Sequence, residues 1–101
     1  ANPVLDADLA LLGSQRIRQL IGLFESQGAA LVAELASSEG EARRALAHKL
    51  KGSALALGLD TFAAQCAAVE EGGGDPARLP MYFDEAMAGL EAWQARHLPP
   101  A

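Results

Sequence analysis

Apolar residues recur along most of this chain at intervals of three and four, the spacing that gathers them on one face of an α-helix. The longest stripe is Ile17, Leu20, Ile21, Phe24, Leu31 and Leu35, which predicts one long helix weakened locally by Gly22 and Gly28. Upstream, Asp6 is expected to cap a short helix that ends before Gly13, and Ser14 to cap the long one. Downstream, Ser38 with Glu41 three residues on has the form of a capping box, opening a third helix that stops near Gly58. Its predicted core stripe is Ala42, Leu46, Leu50, Ser53 and Leu57. Asp60 is expected to cap a fourth helix, where Phe62, Cys66 and Val69 share a face until Gly72-Gly73-Gly74 and Asp75-Pro76 break the pattern. Pro80 then fits the first turn of a last helix with Phe83, Met87, Leu90 and Trp93 facing inward.

Five helical segments joined by short connections predict an all-α fold. The expected arrangement is an antiparallel up-down-up-down four-helix bundle with a short additional N-terminal helix, residues 1–101 forming a single domain. Composition agrees with this. Half of the residues are apolar, yet only five are aromatic and alanine supplies many of the rest, which favours close helix packing; isoleucine and valine are too sparse for strands. The single cysteine, Cys66, lies among Ala63, Ala64, Ala67 and Ala68 and reads as a small buried hydrophobe. No run approaches the ~20 apolar residues of a membrane span, and the N-terminus lacks the regions of a signal peptide, so the domain is expected in the cytoplasm without direct membrane contact. The absence of an initial methionine and the ending Leu98-Pro99-Pro100-Ala101 are those expected of a module cut from a longer protein.

Charge changes the picture at one place. The net charge of −5 argues against a nucleic-acid partner. Between Glu41 and Gly52, however, four cations (Arg43, Arg44, Lys49, Lys51) stand against one anion, a local +3 on an otherwise acidic chain. Such a patch suits an acidic protein cleft or a phosphate. At its centre is His48, with Lys51 and Gly52 one helical turn beyond it and Arg44 and Ala45 one turn before it. The core stripe runs on the opposite face, so the ring is expected to point to solvent, flanked by cations and by residues too small to shade it. A neutral imidazole nitrogen is a good nucleophile near physiological pH, and neighbouring cations stabilise an incoming phosphoryl dianion. His48 is therefore the candidate phosphoacceptor, and Lys51 with Gly52 the candidate phosphate-stabilising pair. Arg44, Ala45, Lys49 and Leu55 are candidates for partner contact, Leu55 being either part of an exposed apolar patch or covered by the first or last helix.

The run His48-x-x-Lys51-Gly52-Ser53-Ala54, followed by Gly58, Cys66 and Val69-Glu70, resembles the histidine-containing phosphotransfer (HPt) domains of multistep phosphorelays, particularly those at the C-terminal end of hybrid sensor histidine kinases. The resemblance extends to the opening helices from Asp6 to Leu35. It implies a helical bundle, no intrinsic kinase activity, phosphorylation at His48, response-regulator receiver domains as donor and acceptor, and a monomeric module.

Other chemistries fit less well. His48, the distant His97 and one cysteine have no metal-ligand spacing, so no metal or other cofactor is expected on this chain, and Mg²⁺ is expected on the receiver partner. Glu41 is the one acid on the His48 helix face. Cys66 among alanines is a poor thiolate, Ser53 falls toward the core, and Glu70-Glu71 and Asp84-Glu85 read as ordinary charged helix surface. A second functional reading stays open: a passive helical docking domain that binds an acidic partner through the basic patch, with His48 incidental.

Overall fold

The computed structural model describes residues 1–100 and is helical, with no strand among them; Ala101, the last residue of the expected domain, lies outside the described residues. The elements are α1 (Pro3–Leu12), α2 (Ser14–Ala36), α3 (Gly40–Ala56), α4 (Asp60–Glu70), a 3-10 turn (Pro76–Arg78) and α5 (Leu79–His97). The stripes dictate how they pack. On α2, Ile17, Ile21, Phe24, Gly28, Val32 and Leu35 are buried, with Leu20 and Leu31 half-buried at the edges. Phe62, Cys66 and Val69 of α4 and Phe83, Leu90 and Trp93 of α5 are buried as the periodicity predicts, joined by Ala63 and Leu79, while the predicted Met87 is half-buried. Phe24, Phe62 and Phe83, one ring from each of these helices, form a mutual cluster with centroids 5.7–6.3 Å apart. Gly28 is no weakness at this point. A Cβ there would stand 2.6 Å from Phe83 Cε1, so the missing side chain makes room for the ring.

α2 packs against α1, α3 and α5, and α4 against α3 and α5; the α3–α4 contact is the most extensive. The buried face of α3 keeps Leu50 and Leu57 of the expected stripe but is turned toward Ala47 and Ala54 in place of Leu46 and Ser53. Ala47, Leu50, Ala54 and the capping residue Leu57 are buried, whereas Ala42 is exposed and Leu46 and Ser53 are half-buried. Two helices approach closely where small side chains meet. Alanines at 47 and 54 permit this, and pattern counting overvalues the bulkier Leu46.

Helix starts differ from expectation at every predicted cap. α1 starts earlier than predicted: Asn2 Oδ1 accepts from the Leu5 N–H at 3.0 Å and Pro3 occupies the first turn, so Asp6 lies inside the helix. Gly13 (φ +83) separates α1 from α2 so tightly that Ser14 is already helical and caps nothing. Ser38 does not build a capping box either. Its Oγ donates to the Leu35 carbonyl at 2.7 Å, closing the end of α2, and α3 starts at Gly40 with no side-chain cap. Leu59, not Asp60, is the N-cap of α4.

The end of α3 is the tightest joint. Leu59 N–H donates to Ala54 C=O at 2.9 Å and Gly58 N–H to Leu55 C=O at 3.1 Å, a Schellman ending with Gly58 at φ +71. Asn2 Nδ2 donates to the Leu57 carbonyl at 2.8 Å, so α1 is pinned over this turn. Its other anchor is Asp6, whose Oδ1 accepts from Trp93 Nε1 at 2.9 Å. No helix is long and apolar enough to cross a membrane among the described residues.

Candidate functional site

Burial of Ala47 and Leu50 on α3 sends His48 to the other side of the helix, where its side chain is 68% exposed. Gly52, one turn on, is exposed, and a Cβ added there would meet nothing within 4 Å. The ring therefore stands over a real gap. Ala45 and Lys49 are exposed as well, and Leu55 is 50% exposed, which settles that neither α1 nor α5 covers it. Leu59 turns inward and is half-buried.

The tertiary structure adds a residue that the pattern assigned to ordinary surface. Glu70, the last residue of α4, is only 20% exposed, with Oε2 2.8 Å from His48 Nδ1 and Oε1 2.8 Å from Lys51 Nζ. Glu41 is thus not the sole acid beside the histidine. The cause is the tight turn at Gly58: ten residues back along α3 lies His48, and twelve forward along α4 lies Glu70, so a close helical hairpin brings them level. The sequence carries one sign of this. Glu70 follows Phe62 and Cys66 at intervals of four, on the face of α4 that turns toward its neighbours.

The electrostatics follow from that bridge. The Lys51 ammonium, and after it the His48 ring, hold the Glu70 carboxyl below its ordinary value of 4.5, with partial desolvation opposing them. An ionised carboxylate only accepts hydrogen bonds, so the network assigns the ring proton to Nδ1 and leaves the Nε2 lone pair free. The basic patch is more compensated than its sequence implies. Arg44 pairs with Glu41 at 2.8 Å, Lys51 with Glu70, and Arg43 turns back to donate to the Ser38 carbonyl at 2.5 Å. Lys49 is the exposed cation of the four with no such partner among the described residues.

A small cleft of about 220 Å³ lies beside the site, between Gly40, Arg43 and Arg44 of α3 and Val69, Glu70 and the glycine loop. A larger one of about 420 Å³ opens at the Asn2–Leu59–Tyr82–Trp93 end. It is ~15 Å from His48 along α3 and plays no part in the site. Among the described residues no three His, Cys, Asp or Glu side chains stand together as metal ligands. Cys66 is buried and its thiol is pushed up to about 11 by burial, so it is no nucleophile at neutral pH. His97 ends α5, stacked on Trp93 at 4.9 Å with Nε2 3.9 Å from Asp6 Oδ1, and serves the α1–α5 joint.

An exposed imidazole on a helical hairpin, steadied by a carboxylate and a lysine, is the equipment of a histidine phosphotransfer module. Residues 15–93 match the family model of the Hpt domain, and the chain belongs to that family. It is accordingly a histidine phosphotransfer domain of two-component phosphorelay signalling, a family whose members interact with receiver domains. Among individual proteins it is similar to Sensor protein TorS of Escherichia coli (strain K12), with 31% identity over 96 residues covering 88% of the chain. The chain spans about a tenth (10%) of the length of that relative. No solved structure matches it.

Proposed function

We propose that His48 is the phosphoacceptor, taking a phosphoryl group from the aspartate of one receiver domain and passing it to another response-regulator receiver. The observation that carries this is the ring itself, 68% exposed with Nδ1 held by Glu70, so that Nε2 faces solvent as the nucleophile. In the accepting step the Nε2 lone pair forms the N–P bond while the acyl-phosphate P–O bond breaks and its electron pair leaves with the aspartate. The Nδ1 proton stays in place, and the ring gains a positive charge that faces the Glu70 carboxylate. Passing the group on reverses these bonds.

The surrounding residues have separate tasks. Lys51 offers an ammonium to the phosphoryl oxygens and Gly52 leaves the approach open. Ala45 and Leu55 give the receiver an apolar rim, while Arg44 and Lys49 attract its acidic pocket. A divalent ion neutralises charge in phosphoryl transfer. The donor set at His48, one imidazole and one carboxylate already held by an ammonium, does not suit a resident metal, so the Mg²⁺ belongs to the receiver. The passive docking reading loses support because Glu70, beyond the Glu41 already within the patch, neutralises one more of the cations on which it rested.

At the level of the whole chain, α2 to α5 form the antiparallel up-down-up-down bundle with α1 as the additional helix. Residues 1–101 act as one monomeric unit, in the manner of a phosphotransfer module at the cytoplasmic end of a sensor kinase. The experiment is transfer of labelled phosphate from a phosphorylated receiver. An acid-labile, base-stable phosphoprotein should form on the wild type and not on His48→Gln, with helicity unchanged. Labelling of His48→Gln would remove the assignment.

A further inference from the structure

The lysine placed to meet a phosphoryl group on His48 is already engaged. Lys51 Nζ lies 2.8 Å from Glu70 Oε1, while the other oxygen of the same carboxylate lies 2.8 Å from His48 Nδ1. One carboxylate therefore bridges the nucleophile and its phosphate partner. Both ends of the ion pair are largely withdrawn from water, Lys51 at 28% and Glu70 at 20% exposure. The backbone of Glu70 directly follows the buried Val69 and lies one turn beyond the buried Cys66.

We propose that Glu70 is a built-in competitor for Lys51 that limits the stability of the phosphorylated state and so sets how long the phosphoryl group stays on His48. This rests on the assignment of His48 as phosphoacceptor. A phosphoryl group on Nε2 brings a second, doubly charged anion to the ring that Glu70 already faces; the positive charge gained by the ring offsets one of its two charges, and Lys51, held by Glu70, is the other cation at hand. A lysine ammonium is a compact charge on a flexible stem, so it can turn to the new oxygens. Any turn toward the phosphoryl oxygens weakens its hold on Glu70, whose carboxylate repels the phosphoryl group. The resting site is neutralised within itself, whereas the phosphorylated site is one cation short. The phosphoryl group is thereby poised to leave, to a receiver or to water.

Loss to water is the direct readout. Water adds to phosphorus as the N–P bond breaks, the bond pair returns to Nε2, and the products are neutral imidazole, hydrogen phosphate and one proton. Glu70→Gln isolates the charge: the amide oxygen still accepts from Nδ1–H and keeps the shape, but has no charge with which to hold Lys51.

The test uses the 101-residue chain labelled with phosphoramidate, freed of reagent, and followed for acid-labile phosphate in Mg²⁺-free buffer, the modified residue being mapped by mass spectrometry. Glu70→Gln should lengthen the phosphohistidine lifetime roughly three- to fivefold, the scale of one partly screened ion pair. In a Lys51→Ala background the same change should have a clearly smaller effect, since there is no lysine to release and only the direct repulsion between carboxylate and phosphoryl group remains; a merely structural role for Glu70 would not depend on Lys51. Equal lifetimes, a shorter lifetime in Glu70→Gln, or an undiminished effect without Lys51 would each overturn the competition. Failure of the wild type to label on His48 would overturn the site assignment itself, and it is told apart by the absence of any phosphohistidine to time.

Discussion

Gly52 should separate stability from function. It lies inside α3, where glycine is about 0.8–1.0 kcal/mol less favourable than alanine. Nothing lies within 4 Å of a Cβ added there, so no contact offsets that gain. Gly52→Ala should therefore raise the unfolding free energy by nearly the whole amount, and the melting temperature by roughly 4–8 °C for a chain of this size. Gly52→Leu should be stabilised almost as much. Helical side chains lean toward the N-terminus, however, so the leucine introduced there covers the turn that carries His48. Its labelling by a phosphorylated receiver should slow by roughly ten- to a hundredfold, the scale on which small misplacements act at a reacting centre. Urea denaturation measures the first effect and a labelling time course the second. Wild-type labelling of Gly52→Leu would refute the steric argument. A loss of stability in Gly52→Ala would mean that the fold, not access to the ring, needs this glycine.

Six residues on, the sign should invert: Gly58→Ala forces a side chain into the left-handed region, at about 1–2 kcal/mol, and displaces the Asn2 contact, worth about 1 kcal/mol more, so its melting temperature should fall sharply. An unchanged melting curve would contradict the pinning of α1 over this turn. Because the folded carboxyl of Glu70 is held below its ordinary value of 4.5, its pair contributes stability that is present above that value and lost as pH falls through the lowered one. Urea midpoints measured through acid pH should accordingly drop more steeply for the wild type than for Glu70→Gln, and parallel curves would deny the ion pair an energetic role. The isolated chain should bind Mg²⁺ negligibly by calorimetry, while transfer from a receiver should require Mg²⁺ and weaken with added salt. Tight Mg²⁺ binding with ligands at His48 would reverse that division of labour.

Sequence periodicity by itself determined the helices, their approximate ends and the faces of α2, α4 and α5, because a buried stripe must repeat with the turn of the helix that carries it. It also placed Lys51 and Gly52 on the face of His48, since that relation is local: residues three and four apart share a face whatever surrounds the helix. Caps were harder to read. Asn2 caps α1 while Asp6 bonds Trp93, and Ser38 bonds back to Leu35 in place of a capping box, whereas α4 starts after Leu59 with no side-chain cap. Only tertiary structure decided the rest. The turn of the α3 face toward Ala47 and Ala54 accompanies its extensive contact with α4, which no residue of α3 specifies alone. Glu70 reached His48 from twenty-two residues away because the Gly58 turn folds two helices into register. Charge counted along the chain gave a basic patch with Glu41 as its one anion, and the fold added Glu70 as a second, because a carboxylate acts over distance in the fold and not over separation in sequence.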